Sequence, residues 1–145
     1  MLALIQRVTH ATVAVAEKTI GEIQLGILAL IGIEKTDTDK NAERLLEKIL
    51  GYRIFSDDAG KMNLNLKDVH GGLLLVSQFT LVADTKKGTR PGFSTAMSPA
   101  ESEKIFDYMI QKSKSLHAQT ATGQFGAHMK IALCNDGPVT FLLQS

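Results

Sequence analysis

Apolar and polar positions alternate from Leu2 to Ala16, with a polar break near His10. This period of two predicts a β-strand with one buried face, and the shorter run Thr19 to Ile23 predicts a return strand. Two later segments, Gly26 to Ile33 and Leu73 to Val82, are apolar at almost every position. Continuous runs of this kind are typical of strands buried on both faces, so we expect them at the centre of the fold.

Two segments have the 3.6-residue period of an amphipathic helix. The first runs from Asp37 to Leu50, and Gly51 stands where a C-terminal cap belongs. The second begins at a predicted capping box, Ser98 to Glu101, and ends near Ser113. Residues 84–97 contain glycines and basic residues without a period, which predicts one long loop.

The remaining predicted strands are short. They comprise Tyr52 to Phe55, Ala118 to Ala121, and two final strands on either side of Gly137-Pro138. Because glycine and proline favour turns, local rules predict a hairpin turn from Asn135 to Thr140. Together the elements predict one α/β domain over residues 1–145, with many strands and two main helices.

Composition narrows the classes of function. The sequence is 44% hydrophobic and 21% charged, with a formal net charge of +1, so any nucleic-acid contact should be small and local. The single cysteine excludes an internal disulfide and fits a reducing cytoplasm. There is neither a signal-peptide pattern nor an apolar run long enough to span a bilayer, so we expect a cytoplasmic protein without membrane association.

Conventional catalytic and metal-binding patterns are absent from the sequence. The four histidines form no HxxxH or HxH pair, so we expect neither a metal site nor a cofactor. They are His10, His70, His117 and His128. Cys134 could act as a nucleophile, although a lone cysteine on an apolar strand is more often part of the core.

Three segments have both a structural and a functional interpretation. The polar segment Ser77-Gln78-Phe79-Thr80 either bonds neighbouring backbone or offers backbone N–H groups to an oxyanion at a strand end. The segment Thr122 to Met129 is either a turn followed by core residues or a pocket in which a base stacks on Phe125 and Met129. The basic residues of the long loop are either solvated or in contact with phosphates. They are Lys86, Lys87 and Arg90.

The motifs of the chain resemble, in their order, the D-aminoacyl-tRNA deacylase family, formerly called D-tyrosyl-tRNA deacylases. Two signatures carry most of the resemblance, Ser77-Gln78-Phe79-Thr80-Leu81 and Asn135-Asp136-Gly137-Pro138-Val139-Thr140. Further matching segments are Gln6 to Val8, Gly51 to Phe55, Gly60 to Asn63, Arg90 to Phe93 and Thr122 to Met129. Each motif alone is modestly specific, whereas the ordered set is very specific and extends over essentially the whole chain.

The resemblance implies a homodimer in which a mixed or antiparallel, barrel-like sheet is flanked by two main helices. A pocket at the subunit interface would take the 3′-terminal aminoacyl-adenosine of tRNA. Gly137-Pro138 would be cis and would reach into the partner's pocket, where its carbonyl oxygens hold the substrate α-amino group. An L-residue's side chain would clash there, whereas D-aminoacyl groups and glycine would fit, including glycine mischarged on alanine tRNA.

The resemblance also implies a hydrolysis that needs no protein base. The ribose 2′-OH would assist attack on the ester, and backbone N–H groups around Phe79 and Thr80 would stabilise the oxyanion. The side chains of Ser77, Gln78 and Thr80 would shape the pocket. The side chains of Phe125 and Met129 would border the adenine or the aminoacyl group, and the side chain of Arg7 would brace Gly137-Pro138.

Two other functions stay open at this point. One is a conventional hydrolase with Cys134 or Thr80 as nucleophile, which predicts a trappable covalent adduct. The other is a non-catalytic module that binds RNA 3′ ends, which predicts affinity without turnover. DNA is not expected as a partner, because the charge is nearly balanced.

Overall fold

The structure is a computed structural model that describes all 145 residues. Its strands are β1 (Leu2–Val15), β2 (Lys18–Ile23), β3 (Gly26–Gly32), β4 (Phe55–Ser56), β5 (Met62–Leu64), β6 (Gly72–Ser77), β7 (Thr120–Thr122) and β8 (Met129–Gln144). Its helices are α1 (Asp39–Gly51), α2 (Pro99–Leu116) and a 3₁₀ turn, Phe79–Val82. Neither α-helix is long and apolar enough to cross a membrane.

Six strands form one mixed sheet that curls into a nearly closed barrel. The order is β2-β1-β3-β6-β7, and β8 pairs with the other side of β1. β3, β6 and β7 are parallel, whereas β1 is antiparallel to β2, β3 and β8. The two end strands of this order, β2 and β7, lie close together: a Cβ atom added to Gly21 of β2 would lie 2.7 Å from the carbonyl oxygen of Thr122 in β7. The expected barrel-like α/β fold is confirmed.

The core lies on both faces of the central strands. Alternate residues of β3 face opposite ways, so Ile27, Ala29 and Ile31 join the cluster beneath α1 and α2, whereas Leu28 joins a smaller cluster inside the barrel. This two-sided burial confirms the interpretation of the Gly26 to Ile33 run as a strand covered on both faces.

The structure differs from the predicted elements at several ends. The predicted strand Leu73 to Val82 stops at Ser77, because its polar residues turn into the 3₁₀ segment rather than extend the sheet. The predicted strand at Tyr52 to Phe55 is reduced to Phe55–Ser56. Gly51 is the last residue of α1 rather than its cap. The capping box at α2 does not form, because the hydroxyl of Ser98 donates to the Glu101 carboxylate.

The predicted hairpin turn at Asn135 to Thr140 is wrong. β8 runs through this segment without reversing, and it pairs with β1 on both sides of it. Val8 pairs with Asn135 and Gln6 with Thr140, so residues 136–139 stand opposite Arg7 alone. The segment is therefore a bulge of four residues in a long strand, which local turn chemistry cannot distinguish from a hairpin.

Candidate active site

A cavity of about 440 Å³ opens where the ends of β3 and β6 meet the start of α2. Ten of its sixteen lining residues are hydrophobic, and none is an aspartate, glutamate, lysine, arginine or cysteine. The polar side chains that line it are Ser77, Gln78, Ser102 and His128. The cavity therefore suits a weakly polar group, and it provides no carboxylate or thiol for catalysis.

The floor of the cavity is the end of β6. The ladder between β3 and β6 finishes with a hydrogen bond of 2.7 Å from the Gln78 N–H to the Ile31 carbonyl. The 3₁₀ turn then begins, and the N–H groups of Phe79 and Thr80 donate to no acceptor within the chain. The first N–H groups of any helical turn lack internal partners, so this strand end leaves two free donors at the rim of the cavity.

The opposite wall comes from the segment that precedes and begins β8. Phe125 and Met129 both line the cavity, and the Phe125 ring packs 6.2 Å from the Phe106 ring of α2. The Met129 side chain packs directly against Gly123: a Cβ atom added to this glycine would lie 2.7 Å from the Met129 sulfur. An aromatic ring and a thioether thus face the strand end across the cavity, as the pocket interpretation requires.

Five of the nine expected site residues line this cavity, and four do not. Those that line it are Ser77, Gln78, Phe79, Phe125 and Met129. Thr80 is exposed just beyond the rim, where its hydroxyl oxygen accepts a hydrogen bond from the Gln78 amide. An amide cannot remove a proton, so Thr80 has no general base beside it in the chain.

Arg7, Gly137 and Pro138 lie together elsewhere, at the bulge of β8. The Gly137–Pro138 peptide bond is cis, as the resemblance implies, and both residues are exposed. The Arg7 side chain is mostly buried; its Nε donates to the Asp136 carbonyl at 2.9 Å, and its Nη1 donates to the Ile54 carbonyl at 2.7 Å. Arg7 therefore ties the bulge to the body of the protein.

A second set of bonds closes the bulge. The Asn135 side chain accepts a hydrogen bond from the Val139 N–H and donates one to the Thr140 hydroxyl, both at 2.8 Å. Gln6 donates to the same hydroxyl at 3.3 Å. Gly137 has a φ of +144°, and a Cβ atom there would lie 2.8 Å from the Val139 nitrogen and 2.5 Å from its Cγ2. Glycine is thus required by the chain's own backbone at this position.

Cys134 and the histidines do not assemble a second catalytic centre. Cys134 is exposed on β8, outside the cavity, and faces His10 across the ladder. No group of three His, Cys, Asp or Glu side chains is placed to hold a metal ion. Titratable groups with shifted pKa values lie elsewhere; between the helices, hydrogen bonds from Tyr108 and Lys112 lower the pKa of Glu43.

The sequence patterns did not predict the cavity wall that is formed by residues just before α2 and in its first turns. The missed lining residues on this side are Ala96, Met97, Pro99 and Ser102. The long loop has no period, so nothing local placed its end against β6. Ser102 carried a usable signal, because it stands four residues before the inward-facing Phe106 and is a polar residue on the apolar face of the helix.

Comparison with known proteins identifies the family. The model of the D-Tyr-tRNA(Tyr) deacylase family matches residues 4–144. The chain belongs to this family. A D-aminoacyl-tRNA deacylase of Pseudomonas fluorescens (strain Pf0-1) is 57% identical over 145 residues, with complete coverage of both chains. One from Xanthomonas oryzae pv. oryzae (strain MAFF 311018) is 58% identical, with 99% of each chain covered.

Solved structures agree with the D-Tyr-tRNA(Tyr) deacylase fold. A c-Myc DNA unwinding element binding protein superposes with a TM-score of 0.95 at 37% identity, covering 100% of this chain and 99% of that one. A probable eukaryotic D-amino acid tRNA deacylase superposes with a TM-score of 0.89, covering 99% and 98%. Its identity is 13%, so this second likeness concerns the fold alone.

Proposed function

We propose that the protein hydrolyses the ester of D-aminoacyl-tRNA, accepts glycine mischarged on alanine tRNA, and rejects L-aminoacyl-tRNA. The observation that carries the proposal is the cavity at the end of β6, which joins two unpaired backbone N–H groups to an apolar chamber. Its volume of about 440 Å³ is ample for a nucleoside, within the ordinary range of ligand pockets.

The chemistry follows from what the cavity contains and lacks. An aminoacyl ester is already activated towards hydrolysis. The neighbouring 2′-OH of its ribose assists the attack of water on the carbonyl carbon of the ester. The free N–H groups of Phe79 and Thr80 are suited to the oxyanion that forms. No carboxylate or cysteine lines the cavity, so positioning and oxyanion stabilisation by Ser77, Gln78 and the backbone supply the rate. A nucleophilic Thr80 or Cys134 is not favoured, because neither lines the cavity.

The discrimination between D and L requires a second copy of the chain. Gly137-Pro138 is exposed and outside the cavity of its own subunit, yet Arg7 and Asn135 hold it in one shape. We assign it to the cavity of a partner subunit, where its carbonyl oxygens bind the α-amino group. β8 supports a homodimer, because it pairs with β1 on one side only and exposes Leu142 to 60%.

The proposed partner is the 3′ end of tRNA, with no DNA and no membrane. The structural relative named as a DNA-binding protein is 37% identical, but a net charge of +1 gives little attraction for a duplex. A nearly balanced charge suits an enzyme that holds one terminal nucleotide. The cytoplasm, where aminoacyl-tRNA is made, is the proposed location.

The direct test is hydrolysis of matched esters. Purified protein is incubated with D-tyrosyl-tRNA, L-tyrosyl-tRNA and glycyl-tRNA(Ala), and loss of ester is followed. Rapid loss of the first and third with the second intact is expected. Equal rates on both enantiomers, or no hydrolysis of any ester, would contradict the proposal. Binding of the tRNA without hydrolysis would favour a module that binds RNA 3′ ends.

The cross-subunit role needs a complementation test, because Gly137→Ala also strains its own chain. One variant, Ala96→Trp, fills the cavity and leaves the bulge intact. The other, Gly137→Ala, disturbs the bulge and leaves the cavity intact. Each homodimer should be inactive. A heterodimer isolated with two different affinity tags should regain about half the wild-type rate, because one cavity then faces one intact bulge. An inactive heterodimer would place the dipeptide's role within its own subunit.

A further inference from the structure

Ser102 is one of three buried polar or charged residues, and it is the one among them whose side chain makes no hydrogen bond within the protein. Three polar or charged residues are buried, and two have clear bonds: Asp37 accepts from the Met1 amine and the Glu34 N–H, and Ser113 bonds the Thr120 hydroxyl at 3.0 Å. Ser102 is 9% exposed, and its hydroxyl makes no hydrogen bond within the protein. The Ser102 oxygen is not fully buried, because the one fully buried unpaired side-chain oxygen is that of Ser145. The hydroxyl is therefore open to the cavity that Ser102 lines and is free to hydrogen-bond a ligand.

The surroundings of Ser102 show where such a ligand would lie. The residue is in the first turns of α2 and lines the cavity, on the same helix face as Phe106. Phe106 packs against Phe125, which forms the aromatic part of the cavity wall. The other polar residues that line the cavity are half-buried or exposed, so Ser102 is the most buried polar residue of the cavity wall. A ring packed on Phe125 would occupy the cavity that this hydroxyl also lines.

We propose that the Ser102 hydroxyl hydrogen-bonds the edge of the terminal adenine and fixes that base in the cavity. This inference rests on the proposed function. Adenine is the flat part shared by every substrate, whereas the amino-acid side chain varies, so a fixed hydroxyl suits the base. The hydroxyl both donates and accepts, which matches the ring nitrogens and the amino group along the purine edges. Ser102 acts here as a positioning and specificity residue, away from the reacting ester.

The first test separates binding from structural support. Ser102→Ala deletes the hydroxyl, and Ser113→Ala on the same helix is the matched control, because its hydroxyl has a partner inside the protein. Ser102→Ala should leave the melting temperature of the free protein unchanged or raised, while KM for D-tyrosyl-tRNA rises about fivefold and kcat changes little. Ser113→Ala should show the reverse, a lower melting temperature and an unchanged KM. A lower melting temperature with unchanged KM for Ser102→Ala would overturn the inference.

The second test asks whether the base is the partner. The probe is 3′-(D-tyrosylamino)-3′-deoxyadenosine, a non-hydrolysable amide, with versions that replace N1, N3 or N7 by CH or delete the 6-amino group. Calorimetry measures the affinity of each version for both proteins. For wild type, one version should bind about fivefold more weakly than the parent amide, whereas for Ser102→Ala that version and the parent amide should bind equally well. Equal losses in both proteins for every version would refute the contact. A Ser102→Ala effect that disappears when the D-tyrosyl group is replaced by glycyl would place the hydroxyl against the amino acid and also refute it.

These outcomes are separable from failure of the proposed function. If wild type hydrolyses D-tyrosyl-tRNA but the purine versions and Ser102→Ala show no coupling, only the role of Ser102 fails. If wild type neither hydrolyses D-tyrosyl-tRNA nor binds the parent amide, the proposed function fails, and this inference fails with it.

Discussion

Asn135→Ala should loosen the bulge that carries Gly137-Pro138 without touching the cavity. The substitution removes an acceptor for the Val139 N–H and a donor to the Thr140 hydroxyl, two bonds that close the bulge from either side. If the shape of the bulge decides which enantiomer enters, its loss should reduce both the rate on D-substrates and the exclusion of L-substrates.

The structure sets the expected size of the effect. Each intramolecular hydrogen bond contributes about 0.5–1.5 kcal/mol net, so losing the pair amounts to about 2 kcal/mol. With an unfolding entropy of about 2.1 cal/mol/K per residue, a chain of 145 residues should melt about 6–7 °C lower. If the active bulge loses the same free energy, turnover of D-tyrosyl-tRNA should fall by up to about 30-fold.

The assay compares single-turnover rates on D- and L-tyrosyl-tRNA with thermal melts of the same samples. Asn135→Asp keeps the acceptor for the Val139 N–H and should lie between wild type and Asn135→Ala. Thr140→Val in a double-mutant cycle isolates the second bond, with an expected coupling of about 1 kcal/mol. An Asn135→Ala protein with unchanged melting temperature and unchanged D-to-L rate ratio would show that these bonds do not hold the bulge.

Three further changes probe other contacts. Arg7→Lys should lower turnover of D-tyrosyl-tRNA about tenfold in single-turnover assays, because one ammonium cannot reach both the Asp136 and Ile54 carbonyls; wild-type rates would contradict this. Thr80→Val should cost less than about 100-fold in kcat, whereas a loss of about 10⁴-fold would indicate a direct nucleophile. Tyr108 lowers the pKa of Glu43 below its ordinary 4.5, so this contact stabilises the fold above that pH and is lost as the carboxylate protonates. Tyr108→Phe should therefore lower the melting temperature at pH 7 and have a smaller effect near pH 3; equal effects at both pH values would exclude the linkage.

Much of the fold was predictable because it depends on local periodicity. The apolar run Gly26 to Ile33 had to be a doubly covered strand, and the period from Asp37 to Leu50 had to be a helix with one buried face. Both patterns report how side chains point along a single element. The ordered signature motifs likewise predicted the family from sequence alone, and the family match confirmed it.

The end of β6 shows where periodicity stops being informative. Ser77, Gln78 and Thr80 were recognisable as unusual, but whether they extend the sheet or turn away depends on the partner strand. Ile31 is the last residue of β3 that pairs with β6; its carbonyl accepts from the Gln78 N–H, and the chain then turns. The unpaired N–H groups that follow are a consequence of tertiary pairing, so no local pattern predicts them.

By itself, the sequence determined the strand and helix periods and the identity of the signature residues. Only the tertiary structure decided what Asn135 to Thr140 does. Glycine and proline specify a sharp local change of direction, and a hairpin and a bulge satisfy that requirement equally. Pairing of β1 with β8 on both sides of the segment selects the bulge, and Arg7 fills the gap in the ladder. The bulge then leaves Gly137-Pro138 exposed beside a free strand edge, which is the position that the proposed cross-subunit role requires.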